Sequence, residues 1–303
     1  ILAALAKDAV RHLDFVQVKS LNAGADGAFD TALLTATTGE HYVVRIANTQ
    51  SAGAEQEVEL QALRALGAEG RAALPFKITT LLGETKDDKG TRALIFDFVY
   101  GSPTDVGSID GDSELARNIG LAIAAIHKLP LSVVENAHLP EFQPEDIRRA
   151  RTAELDRFAA TGKVPSVLLS RWEAVLEDST LFRFQPTVVH GSLNGDTVLE
   201  DAGREVAGVL AWSSLRISDP AEDLSWILGS ENDPFAEAVL AAYTANRSGV
   251  DTSIRQRAVM YSEFERARWL MHGVNKGDQS IIDDAVEMLA TLAGDVEAGV
   301  IGR

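Results

Sequence analysis

Cysteine is absent from the 303-residue sequence, and two other common features are missing with it. Without cysteine there can be no disulfide bond, no thiol catalysis and no cysteine-based zinc site. The six histidines are far apart and never fall at a ligand spacing such as H-x-x-x-H, so we expect no structural transition-metal site. No apolar run reaches the roughly 18 residues that cross a bilayer. We therefore expect a soluble, cytoplasmic protein with no membrane partner.

Basic side chains are outnumbered, because 28 lysines and arginines stand against 45 aspartates and glutamates, for a net charge of -17. The lysines and arginines are scattered and form no basic stripe, which argues against a nucleic-acid partner. The basic run IRRAR at 147–151 is interpreted as a solvated helix face. An acidic chain is most often simply soluble, with a cationic substrate as the weaker interpretation.

The first hundred residues predict a small mixed lobe. Residues 1–13 have the apolar spacing of an amphipathic helix, and residues 31–47 predict two strands around a Thr-Gly turn. Residues 54–66 return to helical spacing, and the short apolar run at 92–99 predicts a buried strand.

The character of the chain changes after residues 100–113, which are dense in Gly, Ser, Pro and Asp. Helical patterns then dominate, at 115–129, 144–160, 166–178, 220–229, 235–246, 254–273 and 280–293. The one strand pair predicted after residue 130 joins TVLE to EVAGVL through a turn at 201–203. We therefore predict an N-lobe at 1–99, a hinge at 100–113 and a mainly helical C-lobe at 114–303 that contains this hairpin. This α+β order is typical of a bilobal, protein kinase-like fold.

Two linked motifs make the prediction more specific. VVHGSLNGDTVL at 188–199 is followed by VAGVLAWSSLRISDPAEDLSWIL at 206–228. Together they resemble the catalytic core of the aminoglycoside and macrolide phosphotransferases, whose pattern is approximately H-G-D-L-H-x-G-N-V-L, then G-x-I-D-W, then D-P-x-x-D-L. The shared positions are His190, Gly191, Leu193, Val198, Leu199, Gly208, Val209, Trp212, Asp219, Pro220, Asp223 and Leu224.

The resemblance implies ATP-dependent transfer of phosphate to a hydroxyl group, with an aspartate as base and Mg²⁺ on an asparagine and a second aspartate. In this sequence the base position is Ser192, the asparagine position is Thr197 and the second aspartate position is Ala211. All three chemical groups are therefore replaced, while the apolar and glycine frame around them is kept.

The remaining motif residues are expected to be structural. His190 would brace the loop, and Asp219 would cap the turn that starts at Pro220. For Asp223 we favour a buried carboxylate that holds the loop at 190–193. Asn194 and Asp196 are interpreted as turn residues, although a shifted loop would bring either of them to a metal ion.

On the nucleotide side, Arg45 occupies the place of the strand lysine that grips phosphates, with Glu59 as its ion-pair partner. Asp97 to Val99 would form the hinge whose backbone pairs with adenine. The segment at 21–32 would cover the phosphates, with Gly24 and Gly27 in it. Asp26 and Asp30 of the same segment would repel a triphosphate if they pointed inward.

Three hypotheses follow. The first is a pseudokinase that binds a nucleotide or small molecule in the interlobe cleft, or a protein partner, and that needs no cofactor. The second is an active phosphotransferase for a small hydroxylated molecule, with ATP and Mg²⁺ held by relocated ligands among Asn194, Asp196 and Thr197. The third is an interaction protein whose nucleotide cleft is filled.

Overall fold

The computed structural model describes residues 2–21, 27–111, 113–230 and 232–300. The chain divides into two compact units, each assembled from separate stretches. The first unit comprises Ile1–Thr104, Ser132–His138 and Asp196–Leu215. The second unit comprises Asp105–Leu131, Leu139–Gly195 and Arg216–Arg303.

The helices and strands are numbered in chain order. The helices are α1 (Leu2–Ala9), α2 (Gln50–Ala72), α3 (Glu114–His127), α4 (Ser132–Glu135), α5 (Pro144–Ala160), α6 (Ser166–Glu177), α7 (Ser225–Leu228), α8 (Asp233–Asn246), α9 (Ile254–Lys276) and α10 (Gln279–Glu297). The strands are β1 (Phe15–Leu21), β2 (Phe29–Ala36), β3 (His41–Ala47), β4 (Leu81–Lys86), β5 (Arg92–Asp97), β6 (Ser102–Pro103), β7 (Thr187–Val189), β8 (Val198–Glu200), β9 (Val206–Val209) and β10 (Arg216–Ser218).

The first unit is built on an antiparallel sheet in the order β1-β2-β3-β5-β4. The predicted strands β2 and β3 pair across the Thr-Gly turn, with Leu34 opposite Tyr42. Their apolar side chains alternate into a core that Ala6 and Val10 of the N-terminal segment help to close. Strands β1 and β4 were not predicted, because they are the two edge strands of the sheet and have no fully buried residue, so no buried apolar run marks them.

The predicted hairpin forms as β8 and β9, with Val198 opposite Val209. It belongs to the first unit, whereas we predicted it as part of the helical C-lobe at 114–303. Gly208 explains this packing, because an added Cβ there would lie 2.2 Å from the Val99 side chain and 3.2 Å from the carbonyl oxygen of Lys77. The missing side chain lets β9 pack directly on the segments that carry Val99 and Lys77.

The second unit is mainly helical, and the predicted helices of this half are present as α3, α5, α6, α8, α9 and α10. The stretch predicted as a helix at 220–229 forms a 3₁₀ turn at Pro220–Leu224 followed by the short α7. The prediction of a single strand pair after residue 130 was wrong, because β7 also pairs with β10. Three-residue strands are too short to show a period, so no pattern could have revealed them.

Aromatic side chains fill the centre of this unit. Phe158, Trp172 and Phe264 meet edge to face, with ring centroids 5.1 to 6.3 Å apart, and all three are buried. Trp172 also donates its indole N–H to Glu263 at 2.6 Å, which satisfies a buried carboxylate. In the part of the chain that the structure describes, none of the helices is both long and apolar enough to cross a membrane.

We predict that Gly120→Ala lowers the free energy of unfolding by about 1–3 kcal/mol. The added methyl group would meet backbone atoms of the neighbouring helix, which cannot move aside as a flexible side chain can. Helices α3 and α8 touch at this glycine, and an added Cβ would lie 2.5 Å from the carbonyl oxygen of Val239 and 2.9 Å from the amide nitrogen of Tyr243. The measurement is the urea midpoint of unfolding at constant slope.

The matched control is Gly294→Ala in α10, where an added Cβ meets nothing within 4 Å. Helix propensity then favours alanine by up to about 1 kcal/mol. Equal effects of the two substitutions on the midpoint would contradict the close approach of α3 and α8.

Candidate active site

A buried carboxylate, Asp223, holds the loop that starts at His190. The backbone N–H of His190 donates to Oδ2 at 2.7 Å, and that of Gly191 donates to Oδ1 at 2.7 Å. Asp223 has no exposed surface, and Gly191 has φ of 82°, a conformation that favours glycine. Asp223 therefore fixes both the position and the direction of the loop.

Asp223 also ends a chain of buried hydrogen bonds. His127 Nε2 lies 3.1 Å from Asp223 Oδ2, while His127 Nδ1 lies 2.8 Å from the Tyr243 hydroxyl. Arg247 donates to that hydroxyl at 3.0 Å. Burial lowers the pKa of His127, so its ring is neutral, with the proton on Nε2. Burial alone would raise the pKa of Asp223, but the hydrogen bonds from His127 and Gly191 outweigh it and lower that pKa.

Asp219 does more than cap a turn. Its Oδ1 accepts the N–H of Ala221 at 2.9 Å, as an N-cap does. The same carboxylate binds the fully buried Arg257 through two bonds of 2.7 and 2.9 Å and accepts the Tyr261 hydroxyl at 2.7 Å. Because Arg257 and Tyr261 lie on α9, this cluster joins the motif turn to that helix. Arg257 also pairs with Asp251, which precedes the helix.

Ser192 stands at the base position of the loop. Its hydroxyl lies 3.4 Å from Nδ1 of the buried His190, and its carbonyl accepts the amide of Asn194 at 3.3 Å. Serine is protonated at neutral pH, so it cannot take a proton from a substrate hydroxyl as a carboxylate does. Position 192 therefore carries no charged group, while Asp223 still anchors the loop on both sides of His190.

The two metal-ligand positions of the resemblance lie together in the first unit. The Thr197 carbonyl accepts the N–H of Leu210 at 2.9 Å, so Thr197 and Ala211 flank one pair of strand ends. Ala211 is exposed and has φ of 62° and ψ of 58°, a left-handed conformation that aspartate and asparagine tolerate better than alanine. The backbone at position 211 thus has a conformation that an aspartate would tolerate, while the side chain is a methyl group.

These residues do not fit a magnesium ion of the family type. Mg²⁺ needs oxygen ligands in octahedral geometry, and a largely buried Thr197 beside Ala211 supplies one neutral hydroxyl. Asn194 and Asp196, two of the candidates for relocated ligands, are both exposed, and Asp196 lies in a turn. Across residues 2–21, 27–111, 113–230 and 232–300, no three His, Cys, Asp or Glu side chains form a group that could hold a metal ion.

The ion pair expected on the nucleotide side is present in the first unit. Arg45 on β3 donates to Glu59 on α2, and both side chains are largely buried. The guanidinium lies 4.9 Å from the ring centroid of Phe29 and 5.3 Å from that of Phe96, which adds cation–π attraction. The pair therefore has a packing role whether or not a phosphate binds there.

The hinge expected at Asp97 to Val99 follows β5. The Asp97 side chain accepts the N–H of Thr80 at 2.6 Å, which fixes the strand end. Val99 is buried, and among the described residues its backbone N–H and C=O have no hydrogen-bond partner. Asp30 is tied to Asn48 at 3.0 Å, while Gly24 and Asp26 lie outside the described residues.

A pocket of about 330 Å³ in the second unit was missed by the sequence analysis. It is lined by Arg151, Gly191, Ser192, Leu193, Asn194, Arg216, Glu222, Ser225, Trp226, Tyr261, Ser262, Glu265 and Arg268. Arg151 belongs to the basic run that was interpreted as a solvated face. It is instead largely buried and pairs with Glu154 and Glu222. No spacing signal links these residues, which come from four separate stretches of the chain.

Comparison with protein-family models places the chain in one family. Residues 19–253 match the family described as the phosphotransferase enzyme family, APH. A curated relative, the uncharacterized protein YcbJ of Bacillus subtilis (strain 168), is 23% identical over 110 residues, which are 36% of this chain and 36% of that protein.

Solved structures extend the likeness to nearly the whole fold. Macrolide 2'-phosphotransferase type I has a TM-score of 0.78 at 24% identity, covering 95% of both chains. The apoenzyme of macrolide 2'-phosphotransferase MphH from Brachybacterium faecium has a TM-score of 0.78 at 22% identity, covering 95% of this chain and 98% of that chain. The GDP complex of aminoglycoside 2'-phosphotransferase-IIIa has a TM-score of 0.77 at 18% identity, covering 96% and 97%. The predicted kinase-like fold is confirmed.

We predict that His127 makes the protein less stable in mild acid. Its folded pKa is below the ordinary 6.5, so on acidification from about pH 6.5 the unfolded chain binds a proton that the folded chain does not. The free energy of unfolding that the neutral His127 ring contributes is fully present above about pH 6.5. It is lost, at about 1.4 kcal/mol per pH unit, as the pH falls through the folded pKa. The measurement is the free energy of unfolding in urea between pH 7.5 and about 5.

His127→Gln should flatten this part of the profile, since glutamine does not titrate. The control is His12→Gln, because His12 is exposed and its loss should leave the slope unchanged. A wild-type slope that survives in His127→Gln would refute the assignment.

Proposed function

Because the chain belongs to the phosphotransferase enzyme family, we propose that it is a member that has lost efficient phosphoryl transfer and acts as a module that binds a small molecule. The observation that carries this proposal is the pair Thr197 and Ala211. The motif resemblance assigns them to the two metal positions; they lie at neighbouring strand ends, and neither side chain offers a carboxylate or an amide oxygen.

Phosphoryl transfer depends mostly on charge and positioning, so the protein supplies few groups and each counts. The loss of a general base typically costs about 10²–10⁴ in rate. Removal of the carboxylate ligand from a magnesium site takes away the charge that holds the ion beside the phosphates. Ser192 and Ala211 combine both losses, which supports a protein that turns over ATP slowly or not at all.

Binding needs less than catalysis, and part of the nucleotide frame is intact. The backbone groups of Val99, which have no partner among the described residues, could give the pairing that a hinge gives to adenine. The Arg45–Glu59 pair lies at the position expected to grip a phosphate. A solved relative is a complex with GDP. We therefore propose weak nucleotide binding that does not depend on Mg²⁺.

We predict that calorimetric titration with ATP gives weak or undetectable binding, and that adding Mg²⁺ changes the affinity by less than about threefold. The reason is that no carboxylate at position 197 or 211 can couple metal to nucleotide. Sub-micromolar, Mg²⁺-dependent binding would favour an active phosphotransferase with relocated ligands. In that case Asn194→Ala or Asp196→Ala should abolish both binding and turnover.

We also predict that Ala211→Asp alone restores part of the Mg²⁺-dependent nucleotide binding. The backbone there is left-handed and the position is exposed, so aspartate fits without burying a charge. Ser192→Asp alone should change nothing, because a base has no use without bound metal and nucleotide. The triple change with Thr197→Asn should give slow ATP hydrolysis, with strongly non-additive effects.

The control is Ala202→Asp, which adds the same charge at an exposed turn of the same hairpin. It should leave nucleotide binding unchanged, as measured by thermal shift with and without Mg²⁺. If Ala202→Asp and Ala211→Asp shift the melting temperature equally, added charge alone explains the effect and the site assignment fails.

A further inference from the structure

The pocket beside Ser192 carries an alternating chain of charged side chains. Arg216 and Arg151 both pair with Glu222, at 2.7 and 3.1 Å. Arg151 and Arg268 both pair with Glu154, at 2.9 and 2.6 Å. Arg268 also pairs with Glu265. All three arginines line the pocket, together with Glu222 and Glu265, whereas Glu154 is not among the lining residues.

The three glutamates differ in burial and in the number of arginines that they bind. The side chains of Glu222 and Glu154 are 8% and 13% exposed, and each binds two arginines. Glu265 is 63% exposed and binds Arg268 as an i,i+3 neighbour on α9. An exposed pair of this kind is weak, because solvent screens it and both side chains lose freedom. Of the three carboxylates, Glu265 is therefore the one that a ligand can replace easily.

The other lining groups limit what the ligand can be. Ser192, Ser225, Ser262 and Asn194 offer hydroxyl and amide groups that pair with hydroxyls, and Trp226 offers an apolar face. A volume of about 330 Å³ is at the small end of ligand pockets, which favours a metabolite over a macrocycle. The lining has three guanidinium groups against two carboxylates, and this positive excess does not favour a ligand that carries several ammonium groups.

We propose that this pocket binds a small hydroxylated monocarboxylate, whose carboxylate takes the place of Glu265 on Arg268. The guanidinium of Arg268 can hold an incoming carboxylate through two parallel N–H bonds while Glu265 turns into solvent. The inference rests on the proposed function only in taking the pocket beside Ser192 as the ligand site. It needs neither nucleotide nor metal, so it can stand if the loss of phosphoryl transfer is disproved.

The experiment is calorimetric titration of the full chain, without nucleotide, with D-gluconate, shikimate and lactate, each beside its primary amide, and with kanamycin as a polycation. Fluorescence of wild type and of Trp226→Phe reports whether the ligand reaches the pocket, since Trp226 lines it. We expect at least one carboxylate to bind about tenfold more tightly than its amide, and to change the fluorescence of wild type only.

Three variants test the exchange at Arg268. Glu265→Gln removes the competing carboxylate and should tighten carboxylate binding by about two- to fivefold. Arg268→Gln should weaken it by at least about tenfold, and Arg268→Lys by less, because the charge remains and the fork is lost. The matched control is Arg255→Gln, which breaks another exposed ion pair, between Arg255 on α9 and Glu237 on α8, and should not change carboxylate binding.

Glu265→Gln keeps the test valid if Arg268→Gln fails to fold, because Glu265 is exposed. The proposal is overturned if the amides bind as tightly as the carboxylates, or if kanamycin binds more tightly than either. It is also overturned if no carboxylate of the panel binds below about 10 mM to wild type and to Glu265→Gln. Inorganic phosphate that binds more tightly than every carboxylate would assign the pocket to phosphates instead.

Discussion

The buried carboxylate of Asp223 is the interaction on which the loop at 190–194 depends. It accepts two backbone N–H groups of the loop and the ring N–H of His127, and no part of it reaches solvent. A buried charge is stable only when its oxygens are fully hydrogen-bonded, so the loop and the network around His127 must keep this geometry. None of these bonds involves the side chain at position 192. The loop can therefore hold its form whichever residue stands there.

In the first unit too, the contacts that hold the backbone do not involve the side chain at the position of interest, here Ala211. Trp212 is fully buried and donates its indole N–H to the carbonyl of Val209 at 2.9 Å, and its ring stacks on Phe76. Gly208 leaves no room for a side chain. These contacts hold Ala211 in a left-handed conformation that costs about 1–2 kcal/mol for a residue with a Cβ. Tertiary packing thus maintains a strained backbone that the present side chain does not need.

Much of this arrangement could be predicted from the sequence, because long helices and the β2–β3 turn have strong periodic signals. The resemblance also led to the expectation that Asp223 is a buried carboxylate at the loop 190–193, where it accepts the backbone N–H groups of His190 and Gly191. Strands β7 and β10 could not be found, since three residues define no period. Arg151 and Arg257 were missed because a charge in a helix looks the same whether it faces water or a buried carboxylate. Only tertiary structure brings Glu222 and Asp219 to these arginines.

The ligand proposed for the pocket differs in charge from the one that the net charge of the chain would favour. A total of -17 made a cationic substrate one interpretation of the sequence. Yet exposed charges act over about 8 Å at physiological ionic strength, so carboxylates elsewhere on the surface are largely screened. Inside the pocket, three arginines and two glutamates act at contact distance in a medium of lower dielectric constant. The local pairs therefore determine which ligand charge is favoured, while the total charge acts mainly on solubility.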